Sequence, residues 1–298
     1  MISYATISMI KKYAADHYYV LWKDSLGGHT KEKAKNILKI LFGNGLVRHY
    51  NGSGPSSYFL QNTRRWEYPW VLEQLSGLSR GSKILDCGCG VSSFPLELYH
   101  RGYQVAGMDR FLDENYISLL FGRYAGSIYD KFLGKGPNWG IPMKVRKRLK
   151  DKVQYVEGLM DHIPLPDNTF DAVTCLSVME HIVLGTGDDP AYHYKCLDEM
   201  KRVLKPGGFL ICTYDTVLED KERFWAGKEG WGERGWHYLN DIDHLNMVFK
   251  DPQTKRIDKD EISRDPDAYI IPPEAYYGGY GIHEYERITS VGFVLVKT

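Results

Sequence analysis

An acid and two closely spaced glycines, Asp86, Gly88 and Gly90, follow a short apolar run in this chain. Glycine adopts backbone dihedrals that other residues avoid, and it lets a ligand approach the main chain closely. A carboxylate beside such a turn suits a ligand that carries hydroxyl or ammonium groups. Because Ile84 and Leu85 before the acid are typical of a buried strand, the pattern predicts a strand that ends in a tight turn beneath a helix.

Three further side chains could do chemistry beside this turn. Asp109 follows a second apolar run, and its carboxylate could accept two hydrogen bonds from vicinal hydroxyls. His181 and His237 are candidate bases, because an imidazole with a near-neutral pKa can accept a proton from a reacting group. For His181, a helix cap or a hydrogen-bonding role in its turn is an equally good interpretation.

The cysteine and metal-ligand patterns do not indicate a metal site. The chain has five cysteines, and the pair Cys87 and Cys89 has no second pair at ligand spacing. Asp241, Asp243 and His244 have suitable side chains, but no second cluster completes a set of ligands. We therefore expect no required metal, and we expect the cysteines to be buried and reduced.

The segments around these residues alternate between strand-like and helix-like patterns, which predicts an α/β fold. The predicted strands are 83–87, 104–108, 153–156, 170–176 and 209–214, and the predicted helices are 64–75, 94–101 and 192–204. Such alternation favours a doubly wound, mostly parallel sheet, whose strands end along one ligand-binding edge. Residues 284–297 are interpreted as two strands joined at 290–292, a C-terminal antiparallel hairpin that completes a seven-stranded sheet.

Residues 1–62 are predicted to form a separate helical, winged-helix-like unit, followed by the α/β domain at 63–298 with insertions at about 110–152 and 215–281. The predicted unit begins with a helix at 2–22, and residues 1–60 contain eight Lys and Arg against three Asp and Glu. A basic winged helix could bind DNA, but its lysines could equally form a solvated helix face. The solvated face is the favoured interpretation. The resemblance to winged-helix units of small-molecule enzymes implies a role in homodimer formation or in covering a substrate site.

The overall composition is that of an ordinary globular protein. Of the 298 residues 43% are hydrophobic and 26% are charged, and the formal net charge is zero, which disfavours recruitment by nucleic acid or membrane. The sequence contains no apolar run of membrane-spanning length, and its first residues lack a signal-peptide core, so we expect a cytoplasmic protein.

Five blocks, in order, resemble motifs of the class I S-adenosylmethionine-dependent methyltransferases. They lie at 84–90, 105–109, 156–171, 176–181 and 204–210. The resemblance implies that S-adenosylmethionine is the cofactor and that Asp109 binds its ribose. It also implies the other cofactor-binding residues Asp86, Gly88, Gly90, Arg110, Met160, Asp161, Leu176 and Ser177. Leu159 stands where the family often has an acid, so Asp161 is the residue expected to bind the adenine amino group.

The resemblance implies an enzyme that transfers a methyl group by in-line displacement to an oxygen or nitrogen atom of a small molecule. The acceptor pocket is predicted to include the aromatic residues Trp231, Trp236, Tyr276 and Tyr277. One alternative is a methyltransferase whose peptide, protein or nucleic-acid substrate docks on the basic N-terminal unit. Another is a non-catalytic protein that keeps the cofactor-binding fold. The sequence does not identify the acceptor.

Overall fold

The computed structural model describes residues 1–15, 64–89, 94–110, 152–181, 190–218, 242, 245–246, 255–270 and 287–298. The strands are β1 (Ile2–Tyr4), β2 (Lys83–Cys87), β3 (Gln104–Asp109), β4 (Val153–Glu157), β5 (Phe170–Leu176), β6 (Leu204–Val217) and β7 (Ile288–Val296). The helices are α1 (Ile7–Ala15), α2 (Arg64–Leu75), α3 (Phe94–His100), α4 (Pro190–Val203) and α5 (Lys259–Arg264), with a short 3-10 helix at Met179–His181.

The seven strands of the described ranges form one mixed sheet in the order β1-β7-β6-β5-β2-β3-β4. Strands β4, β3, β2, β5 and β6 are parallel, whereas β7 and β1 are antiparallel to their neighbours. In the central register Leu85 pairs with Ala106 on one side and with Val173 on the other. This confirms the predicted doubly wound α/β sheet.

Apolar side chains cover both faces of the sheet, as expected for parallel strands that read as continuous hydrophobic runs. Helix α4 covers one face, where Leu197 and Met200 join the cluster that contains Val173. Helix α2 covers the other face, where Trp66 and Trp70 stack with their ring centroids 5.1 Å apart. All five cysteines are buried and form no disulfide bond, as predicted.

The predicted C-terminal hairpin is wrong at its turn. Ser290, Val291 and Gly292 lie inside the continuous strand β7, where Ser290 pairs with Asp215 of β6. Gly292 is needed for close packing rather than for a turn, because a Cβ atom at this position would lie 2.6 Å from the ring of Trp70. Gly292 was interpreted as part of a chain reversal, whereas its missing side chain leaves space for the ring of Trp70.

The second antiparallel strand comes instead from the N-terminus. Ile2–Tyr4 forms β1, where a helix was predicted, and Ile2 pairs with Phe293 of β7. Helix α1 begins at Ile7, and Lys12 and Tyr13 both bind Glu73 of α2, at 2.8 and 2.9 Å. Residues 1–15 therefore pack on the α/β domain. The winged-helix-like unit and its boundary at residue 62 lie largely outside the described residues and stay predictions.

The two predicted insertions fall mostly outside the described residues. Within the second insertion, β6 continues to Val217 and α5 forms at Lys259–Arg264, where irregular structure was predicted. Asp258 caps α5 because its side chain accepts hydrogen bonds from the main-chain N–H groups of Asp260 and Glu261. Among the described helices, none has the length and apolar character needed to cross a bilayer.

Candidate functional site

The glycine turn after β2 folds back onto the end of β3. The N–H groups of Gly88 and Cys89 donate to the carbonyl of Met108, at 2.8 and 3.0 Å. Gly88 has a φ of 71°, in the left-handed region that favours glycine. A Cβ atom on Gly88 would lie 2.5 Å from Cγ1 of Val178, so the turn also packs against the segment that follows β5. Turns from three neighbouring parallel strands thus meet at one edge.

Asp109 occupies the last position of β3, where its side chain is half-buried. Its carbonyl accepts a hydrogen bond from the N–H of Gly158 at 3.1 Å, which attaches the loop after β4 to the end of β3. The next residue, Arg110, is exposed at the same edge. The predicted ribose-binding carboxylate therefore lies beside the start of the predicted adenine loop.

Asp86 is buried within the sheet, with 3% of its surface exposed. The hydroxyl of Thr174, on the neighbouring strand β5, donates to Oδ1 of Asp86 at 2.7 Å. This hydrogen bond fixes the orientation of the carboxylate two residues before Gly88.

The predicted adenine loop presents Met160 and Asp161 differently. Met160 is buried in the core, whereas Leu159 is 53% exposed. Asp161 is half-buried, and its Oδ2 accepts a hydrogen bond from Nζ of Lys195 at 3.0 Å. Its other oxygen, Oδ1, is buried and has no hydrogen-bond partner among the residues that the structure describes. That oxygen is a suitable acceptor for an amino group such as the one on adenine.

Arg202 of α4 holds the following part of the loop. Its guanidinium donates to the carbonyls of Ile163 and Leu165, at 2.7 and 3.0 Å, and to Glu199 at 2.8 Å. Glu199 in turn accepts from the N–H of Ile163 at 2.8 Å, and its hydrogen bond with Arg202 lowers its pKa to about 2. The sequence gives no signal for this arrangement, because an Arg three residues after a Glu on a helix is an ordinary surface pattern.

Ser177 donates two hydrogen bonds that hold the turn after β5. This residue has a φ of 48°, and its N–H donates to the carbonyl of Thr213 at 3.0 Å. Its hydroxyl donates to Oε1 of Glu67 at 2.5 Å, and the hydroxyl of Ser290 donates to the same oxygen at 3.1 Å. Glu67 is fully buried on α2. Leu176, the last residue of β5, is also buried.

Two more carboxyl groups are buried next to this turn. Glu180 is fully buried, and its Oε1 accepts a hydrogen bond from the N–H of Asp215 at 3.2 Å. Burial and then the charges of Asp215 and Glu67 raise the pKa of Glu180 well above its ordinary value, which favours the neutral acid. The sequence offered a signal for Asp215 and for Glu67. Asp215 directly follows the predicted apolar strand 209–214, and Glu67 lies between the aromatic residues Trp66 and Tyr68.

The structure thus brings together the strand-end residues that the sequence predicted for the cofactor, namely Asp86, Gly88, Asp109, Leu176 and Ser177. His181 ends the 3-10 helix after β5, and its side chain is not among those described. Gly90, His237, Trp231, Trp236, Tyr276 and Tyr277 lie outside the described residues, so their roles stay predictions. In the described ranges, no group of three or more His, Cys, Asp or Glu side chains could hold a metal ion.

Comparison with known proteins finds methyltransferases that are similar to this part of the chain. A family described as a methyltransferase domain matches residues 142–212. Sterol 24-C-methyltransferase of Yarrowia lipolytica is 30% identical over 177 residues, which cover 58% of this chain and 36% of that enzyme. The ubiquinone/menaquinone biosynthesis C-methyltransferase of Serratia proteamaculans is 28% identical over 72% of both chains. This chain spans about a third to about half of the fungal relatives that it matches.

Among solved structures, phosphoethanolamine N-methyltransferase 2 of Haemonchus contortus, in complex with S-adenosylmethionine, is 18% identical with a TM-score of 0.44. The match covers 93% of this chain and 60% of that chain.

Proposed function

Because this chain carries a class I, S-adenosylmethionine-dependent methyltransferase domain, we propose that it is an enzyme that methylates a small-molecule acceptor. One observation carries the proposal: the turns at Gly88, Asp109 and Ser177 follow neighbouring parallel strands at a single edge. Ligands of open parallel sheets bind outside this edge. The left-handed glycine and the accessible carboxylate suit the amino-acid and ribose parts of the cofactor.

The residues of this edge have separate tasks in the proposed complex. S-adenosylmethionine supplies an electrophilic methyl group on a positively charged sulfur. Asp109 would accept hydrogen bonds from the ribose hydroxyls, and the main chain at Gly88 would lie against the amino-acid end. Met160 would pack on the adenine, whose amino group would donate to Oδ1 of Asp161. The protein would contribute mainly by aligning donor and acceptor in a dry site.

We propose a carbon atom as the methyl acceptor, with oxygen or nitrogen as the alternative that the sequence suggested. The support for carbon is that two relatives are a sterol 24-C-methyltransferase and a ubiquinone/menaquinone biosynthesis C-methyltransferase. A hydroxyl group, an amine that carries an N–H, or a carbon acceptor loses a proton overall when its neutral form is methylated to a neutral product. A base therefore remains part of the proposal, with His181 and His237 as the candidates.

Calorimetric titration with S-adenosylmethionine tests whether the protein binds this cofactor, which every proposed acceptor requires. Absence of binding would overturn the proposal. The acceptor is then sought with a methyl-labelled cofactor and a panel that contains an unsaturated sterol, a quinol, a phenol and an amine. We expect label on carbon, which the NMR shift of the transferred methyl group distinguishes from label on oxygen or nitrogen. Label only on a peptide or nucleic acid would favour the alternative in which residues 1–62 dock a macromolecule.

A further inference from the structure

Glu67 contacts the strand edge from a distant part of the sequence. It lies on α2, fully buried, and a single oxygen of its carboxyl group accepts hydrogen bonds from the hydroxyls of Ser177 and Ser290, at 2.5 and 3.1 Å. Ser177 follows β5 at the candidate site, whereas Ser290 lies within β7. This carboxyl group therefore links helix α2 to two strands of the sheet.

The bond to Ser177 acts on a backbone conformation that needs support. A φ of 48° is uncommon for a residue other than glycine, and it persists where surrounding contacts over-determine it. Here two hydrogen bonds give that support: the N–H of Ser177 donates to the carbonyl of Thr213, and its hydroxyl donates to the carboxyl group of Glu67. Loss of Glu67 would remove the side-chain hydrogen bond that supports this turn and leave the main-chain bond to Thr213 in place.

The same turn reaches the glycine turn of β2 through the next residue. Val178 follows Ser177, and its Cγ1 occupies the position 2.5 Å from where a Cβ atom of Gly88 would be. Any rotation of the Ser177 backbone would move Val178 against or away from Gly88, because closely packed interiors transmit such displacements. The contacts thus run from Glu67 to Ser177, from Ser177 to Val178, and from Val178 to Gly88.

We infer that Glu67 is a positioning residue for the cofactor edge, which it controls by holding the Ser177 turn against the Gly88 turn. This inference rests on the proposed function. Ser290 provides an internal control, since its hydroxyl binds the same oxygen of Glu67 but belongs to β7, whereas the two turns follow β2 and β5. If Glu67 served only to hold the fold together, loss of either serine hydroxyl would have the same effect on cofactor binding.

The experiment measures S-adenosylhomocysteine binding by calorimetry, at a temperature where all variants are folded. We expect Glu67→Ala to weaken binding roughly five- to tenfold, because loss of a supporting hydrogen bond loosens the residues it holds. Glu67→Gln keeps an acceptor oxygen and should bind within about twofold of wild type. Ser290→Ala should also bind within about twofold, although it breaks the second bond to the same carboxyl group.

Ser177→Ala removes the hydroxyl from the other side and completes a double-mutant cycle. In the double variant with Glu67→Ala, the two effects should combine to much less than their product, because both changes break one contact. Independent effects, or a Ser290→Ala variant as weak as Ser177→Ala, would overturn the inference. Unchanged binding in Glu67→Ala would do the same.

Amide hydrogen exchange gives a readout that needs no cofactor. The N–H of Ser177 should exchange faster in Glu67→Ala than in wild type, and at the wild-type rate in Ser290→Ala. If wild-type protein binds neither S-adenosylmethionine nor S-adenosylhomocysteine, the proposed function fails, and exchange alone then decides whether Glu67 holds the turn. Equal exchange in all variants would refute the positioning role in either case.

Discussion

Substitution of Gly88 by alanine should disturb both the stability of the protein and its cofactor edge. Gly88 has a φ of 71°, and a Cβ atom there would lie 2.5 and 2.6 Å from the two methyl groups of Val178. Gly207 supplies a matched control, since its φ is 76° but a Cβ atom on it would have no neighbour within 4 Å. The two glycines share a φ in the left-handed region and differ in the space around them.

The expected magnitudes follow from this difference. A left-handed conformation costs a residue with a Cβ atom about 1–2 kcal/mol, and this cost applies to Gly207→Ala and Gly88→Ala alike. The reduced entropy of the unfolded chain returns about 0.4–1 kcal/mol in both variants. Forcing an extra carbon into packed side chains adds about 1–3 kcal/mol in Gly88→Ala alone. Gly88→Ala should therefore be less stable than Gly207→Ala by about 1–3 kcal/mol.

Urea unfolding of both variants measures this difference directly. Combining Gly88→Ala with Val178→Ala should recover most of the excess cost, relative to Val178→Ala alone, because the smaller side chain leaves room for the new methyl group. S-adenosylmethionine binding should weaken in Gly88→Ala and stay near wild type in Gly207→Ala. Equal destabilisation by the two glycine substitutions would refute the close contact between Gly88 and Val178.

Three further changes test other parts of the edge. Asp109→Ala should weaken S-adenosylmethionine binding roughly ten- to hundredfold by calorimetry, and unchanged affinity would refute the ribose assignment. Arg202→Lys cannot hold the carbonyls of Ile163 and Leu165 together, so urea unfolding should show that the free energy of unfolding falls by about 2 kcal/mol. An unchanged free energy of unfolding would contradict this role of Arg202. Because the folded-state pKa of Glu180 is raised, the contribution of Glu180 to stability falls as pH rises above about 4.5, by at most about 1.4 kcal/mol per pH unit. Glu180→Gln should remove that part of the pH dependence, and an unchanged pH profile would contradict the raised pKa.

The residues at the parallel strand ends were predictable because their signals are local. A buried parallel strand reads as a continuous apolar run, and Asp86 and Asp109 stand at or near the end of such runs. Parallel strands bring their carboxyl ends to one edge, so the order of the runs already placed these acids together. The glycine at 88 added the turn, and its left-handed backbone agrees with that expectation.

The antiparallel edge was not predictable, because its pairings join residues at opposite ends of the chain. Nothing in the sequence near Ile2 indicates that it pairs with Phe293, and an isolated three-residue strand resembles the start of a helix. The turn predicted at Gly292 was wrong for a related reason. A glycine inside a strand marks either a turn or the close approach of another group, and only the position of Trp70 distinguishes these cases.

The position of Glu67 on α2 joins the packing of the fold to its proposed chemistry. Trp66 and Trp70 stack on each other and lie against Gly292, so the helix is fixed on the sheet by large buried rings. Glu67 follows Trp66 directly and points its carboxyl group to the hydroxyl of Ser177. Because the rings fix the helix, they also fix the reach of this carboxyl group. A change that loosens the tryptophan stack should therefore weaken cofactor binding, even though the stack packs on β7 rather than on the cofactor edge.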